Sequence, residues 1–135
     1  MKVFDLAYII EDDPITSIIT ELIVKQNSAF GEVQTYMNGQ EAFDKLSAAE
    51  LSEAKIPDLI LLDLNMPIMD GWEFLDAFSA LRLPKPVCVY VLTSSIHPDD
   101  IERSKSYKEV KGYFTKPLDD EVVQQMVHLG QENKC

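Results

Sequence analysis

The chain has little of what several common protein classes require. Its two cysteines, Cys88 inside an apolar run and Cys135 at the terminus, are too few and too poorly placed for a disulfide framework, so a structural disulfide is not expected. His97 and His128 stand at no metal-ligand spacing from each other or from either cysteine, so zinc is not indicated. Basic residues are scarce: 12 against 23 acidic ones give a net charge of −11. A surface of that sign repels polyanions, which argues against direct nucleic-acid binding. The longest apolar runs, Leu59 to Leu62 and Pro86 to Leu92, fall far short of the ~20 residues that cross a bilayer, so no membrane span is expected. The N-terminus lacks the apolar stretch and small-residue cleavage site of a secretory signal, so a cytoplasmic location is the expectation. No Gly-x-x-x-x-Gly-Lys-Ser/Thr stretch is present, which excludes a P-loop nucleotide hydrolase.

What remains is an ordinary globular composition, 46% hydrophobic and 26% charged over 135 residues, enough for one compact domain spanning 1–135. Leu6 to Ile10 reads as a buried strand that stops at Glu11-Asp12-Asp13. Pro14 opens a helix on which Ile15, Ile18, Ile19, Leu22 and Ile23 recur on one apolar face, ending near 27–30. Glu32 to Tyr36 reads as a more polar edge strand, and Gln40 to Leu51 as the second helix. Leu59 to Leu62 is apolar without alternation, the pattern of a central parallel strand, yet it runs straight into Asp63. Trp72 to Leu81 predicts a third helix, Val87 to Leu92 a fourth strand, and His97-Pro98-Asp99-Asp100 the start of a helix reaching about Tyr107. A strand over Val110 to Thr115 and a helix over Leu118 to Glu132 complete the chain. Five strands alternating with five helices argue for an α/β fold, a parallel sheet sandwiched by helices. Ligands of such sheets bind beyond the carboxyl ends of the strands.

Four of those ends carry unusual residues: Glu11-Asp12-Asp13, Asp63, Thr93-Ser94 and Lys116. Taken singly each has a bland explanation, as a solvated loop acid, a helix cap or a surface lysine. Converging on one rim, the carboxylates would repel one another unless a cation were present. A hard divalent ion resolves this, since Mg²⁺ (or Mn²⁺) takes oxygen ligands from one or two carboxylates and keeps several waters. Asp12 and Asp63 suit direct ligation, Glu11 would hold a metal-bound water, and the Asn65 main-chain carbonyl would add an oxygen. Asp63 can then attack a phosphorus centre. Lys116 would pair with the product, and the Thr93 hydroxyl with the Ser94 N–H would hydrogen-bond its oxygens.

Ile10-Glu11-Asp12-Asp13-Pro14, Leu59 to Asp63 with Asn65-Met66-Pro67 and Asp70-Gly71, Leu92-Thr93-Ser94, and Gly112 to Leu118 occur in the order found in one family. Over essentially its whole length the chain resembles a response-regulator receiver domain of two-component signalling. The resemblance implies a doubly wound (βα)5 three-layer sandwich of flavodoxin-like type, with a five-stranded parallel sheet of order 2-1-3-4-5, and a cis bond before Pro117. It also implies that Asp63 takes its phosphoryl group from a sensor histidine kinase or a histidine phosphotransfer protein. Glu11 and Asp12 would be the acidic pair, Thr93 the switch hydroxyl and Tyr113 the switch aromatic, with Asp13 outside the pair.

Two other readings compete. An aspartate-nucleophile phosphatase of the haloacid-dehalogenase type would want a second Asp where Asn65 stands, and a cap domain. A non-phosphorylated interaction module would not need the full set of acids, hydroxyl and lysine. The expectation is therefore a signalling phosphoacceptor and not an enzyme with an external substrate. It would act through a downstream protein target, as a monomer or a weak phosphorylation-dependent dimer, without an attached output domain.

Overall fold

The computed structural model describes residues 2–49 and 55–133. Strands and helices alternate: β1 (Phe4–Ile10), α1 (Pro14–Lys25), β2 (Phe30–Tyr36), α2 (Gly39–Ala49), β3 (Leu59–Leu62), α3 (Gly71–Ser79), β4 (Cys88–Thr93), α4 (Pro98–Ser104), β5 (Val110–Thr115) and α5 (Asp120–Asn133). All strand pairs are parallel, in the order β2-β1-β3-β4-β5. The doubly wound architecture is thus as expected, and the Lys116–Pro117 bond is cis.

Every residue of β3 and β4 is buried, because helices cover both faces of the sheet at its centre. Side chains alternate along β1 and build two cores. Ala7 and Ile9 join Val24, Leu61, Tyr90, Val123 and Met126 under α1 and α5. Tyr8 and Ile10 join Leu46, Ile60, Leu62, Phe74 and Leu75 under α2 and α3. Each full burial of such a side chain is worth about 1.5–3 kcal/mol, so the strands are held from both sides. The Tyr90 hydroxyl, carried into the first core, donates to the Met126 carbonyl at 2.9 Å.

The structure departs from expectation in four places. Strands β1 and β2 begin earlier, at Phe4 and Phe30, which pair with each other. Helix α4 ends at Ser104 instead of near Tyr107: the amides of Lys105, Ser106 and Tyr107 turn to carbonyls three residues back, and the Ser104 and Ser106 hydroxyls take main-chain carbonyls as well. The expected end of α2 at Leu51 lies outside the described residues. Cys88 is buried in the first core, as its apolar run suggests, but it is disulfide-bonded, contrary to the expectation of no structural disulfide.

The largest departure is α1. Its expected apolar face points to solvent, with Ile15 69%, Ile18 58%, Ile19 49% and Leu22 59% exposed. The helix packs instead through Ser17, Thr20 and Val24, while Ile23 is half-buried. Small side chains on that stripe let the helix backbone lie close to the sheet.

Candidate functional site

The ladder continues just past the strand ends and sets the positions of the functional side chains. The Glu11 amide donates to the Tyr36 carbonyl at 3.0 Å, the Asp63 amide to the Ile10 carbonyl at 3.1 Å, and the Lys116 amide to the Thr93 carbonyl at 2.9 Å. Glu11, Asp63, Thr93 and Lys116 are thereby fixed by backbone pairing along one rim, at the carboxyl ends of the parallel strands where this architecture binds its ligands.

Oxygens of Glu11, Asp12 and Asp63 all lie within 4.8 Å of one another. Glu11 is 4% and Asp63 6% exposed, so two of these carboxylates are nearly out of water. The Lys116 ammonium donates to Glu11 Oε1 and lies 3.4 Å from Asp63 Oδ2. The second oxygen of each buried acid accepts from a backbone amide: Asp63 Oδ1 from Leu64 at 2.8 Å, Glu11 Oε2 from Asp13 at 3.2 Å. Burial, reinforced by the charge of Asp63, pushes the Glu11 carboxyl up to about 7, although its hydrogen bonds to Lys116 and Asp13 work the other way. Burial works against the charge on Lys116, but its hydrogen bond to Glu11 and the field of Asp63 outweigh it and hold that pKa above the ordinary lysine value.

One ammonium thus faces three carboxylates. An all-oxygen donor set with an excess of negative charge fits a hard divalent cation such as Mg²⁺ or Mn²⁺ and offers nothing to a soft one.

Around this centre, Gly71 opens α3 directly against the loop that leaves Asp63. Its amide donates to the Leu64 carbonyl at 2.9 Å, and a Cβ there would stand 2.7 Å from the Asp63 carbonyl oxygen, so only glycine allows this approach. Thr93 is fully buried, and its hydroxyl oxygen accepts from the Ser95 amide at 3.4 Å. The half-buried Tyr113 donates its hydroxyl to the Ser95 carbonyl at 2.9 Å. Ser94 and Asn65 are exposed in the loops beside the acids. Glu11, Asp12, Asp63 and Lys116 therefore meet side chain to side chain. Among the described residues no hydrogen bond or ion pair draws Ser94, Asn65 or Tyr113 onto the carboxylates.

Several roles escaped sequence reading. Asp13, the acid outside the pair, caps α1 by accepting from the Thr16 amide at 3.1 Å and from the Thr16 hydroxyl. Asp-Pro followed closely by Thr was the available signal. Ser95 donates its hydroxyl to Asp100 Oδ2 at 2.6 Å, tying the loop after β4 to α4. Trp72, Phe74 and Phe78, by contrast, pack as aromatics of a third helix are expected to: the two phenylalanines are buried core, and Trp72 is half-buried beside Tyr107.

The family described as response regulator receiver domain matches residues 7–128. A probable methanogenesis regulatory protein, FilR2, of Methanothrix harundinacea is 29% identical over 88% of this chain and 76% of its own length. The chain spans about half the length of several other curated relatives, among them a two-component response regulator of rice. The crystal structure of a two-component response regulator from Cytophaga hutchinsonii superposes with a TM-score of 0.86 at 27% identity, covering 98% of this chain and 99% of that one. The Mn²⁺-bound form of the response regulator Rcp1 superposes with a TM-score of 0.73 at 30% identity, covering 91% and 88%.

Proposed function

The chain belongs to the response regulator receiver domain family, and from that premise we propose that Asp63 is its phosphoacceptor, served by Glu11, Asp12, Lys116, Thr93 and Ser94. The observation that carries this reading is the nearly buried Asp63 carboxylate held between two other acids and the Lys116 ammonium.

The donor is a protein phosphohistidine, on a sensor histidine kinase or a phosphotransfer protein. An Asp63 oxygen attacks phosphorus, the P–N bond breaks with its electrons returning to the imidazole, and an acyl phosphate forms. Mg²⁺ or Mn²⁺, held by Asp12 and Asp63 with Glu11 and the Asn65 carbonyl in support, supplies positive charge beside the phosphoryl oxygens. Lys116 pairs with the new phosphoryl group. Thr93 gives up the Ser95 amide and turns its hydroxyl to the phosphoryl oxygens, with the Ser94 amide as a second donor. Tyr113 follows the loop because its hydroxyl is bonded to Ser95.

Residues 1–135 act in this reading as one receiver unit in the cytoplasm, a monomer or a weak dimer when phosphorylated, that signals to a downstream protein and assists only its own phosphorylation and dephosphorylation. The exposed ridge Ile15, Ile18, Ile19 and Leu22 starts one residue after the Asp13-Pro14 step beside the site and offers a protein donor an apolar surface to dock on.

Incubation with acetyl phosphate and Mg²⁺ followed by intact mass measurement tests the reading. The wild type should gain one phosphoryl group per chain and Asp63→Asn none. An equal gain by both proteins overturns it. Because Asn65 is an amide, no general acid stands two residues after Asp63, and release of many phosphates per chain from a generic ester would point to a hydrolase instead.

A further inference from the structure

Helix α4 is fastened at both ends and anchored little in between. Of its seven residues only Ser104 is buried. At its start Asp100 accepts from the Ser95 hydroxyl at 2.6 Å, and Ser95 in turn holds Tyr113 of β5 through its carbonyl. At its far end the Arg103 guanidinium carbon lies 4.4 Å from the centre of the Trp72 ring, inside the range of a cation–π contact. The Tyr107 ring stacks on the same indole with centroids 6.1 Å apart and planes at 24°, and its hydroxyl donates to Asp76 Oδ1 at 2.6 Å. Trp72 and Asp76 lie four residues apart on α3, one turn above the other, and Arg103 and Tyr107 have the same spacing at the end of α4. The two pairs interlock.

Their position relative to Asp63 gives the cluster its consequence. Helix α3 begins at Gly71, hydrogen-bonded to Leu64 immediately after Asp63, and α4 follows the loop that leaves Thr93. The two helices therefore grow from the two loops that flank the acceptor. A displacement of the Thr93 loop reaches α4 through Ser95 and Asp100, and the α3 contacts resist it.

We propose that Trp72, Asp76, Arg103 and Tyr107 form a latch that holds α4 against α3 in the unphosphorylated chain and opposes switching. The opposing role rests on the phosphoacceptor reading of Asp63; the pinning of α4 does not. A contact made only in the resting state lowers the affinity of any ligand that selects the switched state, and removing the contact raises that affinity by the same factor. Loss of one hydrogen bond to a charged group shifts such an equilibrium by about tenfold.

The test uses the full chain with beryllofluoride, a phosphoryl analogue, in Mg²⁺. Binding is followed by fluorine NMR and by the emission of Trp72, the single tryptophan. In the wild type, saturation should change that emission as Arg103 and Tyr107 leave the indole. Tyr107→Phe should bind the analogue about tenfold more tightly, and Arg103→Ala, which loses a cation–π contact, and Asp76→Asn, which keeps a neutral acceptor, about threefold. Without analogue, the amides of 99–107 should exchange with solvent about tenfold faster in Tyr107→Phe and about threefold faster in Arg103→Ala. Wild-type exchange in both variants overturns the latch. Faster exchange with analogue affinity within twofold of wild type overturns its opposing role. Failure of the wild type to bind the analogue overturns the phosphoacceptor reading and the opposing role with it, while the exchange rates still decide whether the cluster pins α4.

Discussion

Asp63→Asn should stabilise the metal-free protein, and the gain should shrink on acidification. The substitution keeps the shape of the side chain and leaves Oδ1 able to accept from the Leu64 amide, so what changes is charge. The three oxygens lie within 4.8 Å of one another, so at an effective dielectric constant of about 20 each like-charge pair costs at least about 3.5 kcal/mol, and Asp63 forms two, with Glu11 and Asp12. Lys116 at 3.4 Å returns about 5 kcal/mol. Repulsion exceeds attraction by at least about 2 kcal/mol, the expected gain in unfolding free energy at pH 8 with a chelator present.

The wild type has one escape from this repulsion, which is to protonate Glu11. That group titrates at about 7 in the folded chain and at its ordinary value in the unfolded one, so over the interval between them the native state binds the extra proton. Wild-type stability therefore rises as pH falls from 8 to 6, by about 1.4 kcal/mol, and the contribution is lost again as pH rises through 7. The variant, whose Glu11 keeps the larger contribution of burial but no longer faces the charge of Asp63, gains less over the same interval. Its advantage should therefore narrow between pH 8 and pH 6. Urea unfolding measures it at the two pH values. Adding Mg²⁺ at a hundred times its dissociation constant should then stabilise the wild type by about 2.7 kcal/mol and reverse the order of the two proteins. A variant less stable than wild type in chelator at pH 8, or an advantage that does not change with pH, would refute the charge reasoning.

Other outcomes follow from the same geometry. Mg²⁺ must compete with the proton on Glu11, so its apparent affinity, read by titration calorimetry, should fall by up to about tenfold per pH unit below 7 and level off above it. Ile68 sits at φ 68 with 78% of its surface exposed, a left-handed conformation that a β-branched residue adopts under strain and without packing in return. Ile68→Gly should raise stability by about 1 kcal/mol in the same urea assay, and a loss would show that the isoleucine is held by contacts worth more than the strain. Ile18→Glu, in the middle of the exposed α1 ridge, should slow phosphoryl transfer from a protein donor by about tenfold and leave acetyl phosphate uptake unchanged. Equal slowing with both donors would place the effect at the site and not at docking.

The parts of this molecule legible in the sequence were those in which a local pattern has a single physical solution. Leu59 to Leu62, apolar on both sides, has no stable place other than the middle of a covered sheet, and an acid at its end stands out because nothing local demands it. Helix α1 has two solutions. Its periodicity shows that an apolar stripe exists, but which stripe meets the sheet depends on how close the backbone can come, and Ser17 and Thr20 come closer than Ile15 or Ile18 can. The contacts between Trp72 and Arg103, and between Asp76 and Tyr107, have no local signature at all. Each joins residues on different helices, and their proximity follows only from the way α3 and α4 lie on the sheet.

Charge also explains why capture of a phosphoryl group should move the protein and not merely decorate it. Three carboxylates and one ammonium leave the rim two charges short, a deficit that a divalent cation balances. Phosphorylation replaces the single charge of Asp63 by the ~2 of a phosphoryl group, so the balanced rim becomes negative again. No further cation stands among the side chains that meet there, and the excess must be met by hydrogen-bond donors. In the reading proposed above these are the Thr93 hydroxyl, which in the resting chain serves as an acceptor for Ser95, and the Ser94 amide. Drawing them in breaks the Thr93–Ser95 contact and pulls on Ser95, to which both Tyr113 and Asp100 are bound. On that reading the force that would reach α4 and β5 is the residual charge at Asp63, and its size would be set by the one negative charge that Lys116 and the cation leave unbalanced.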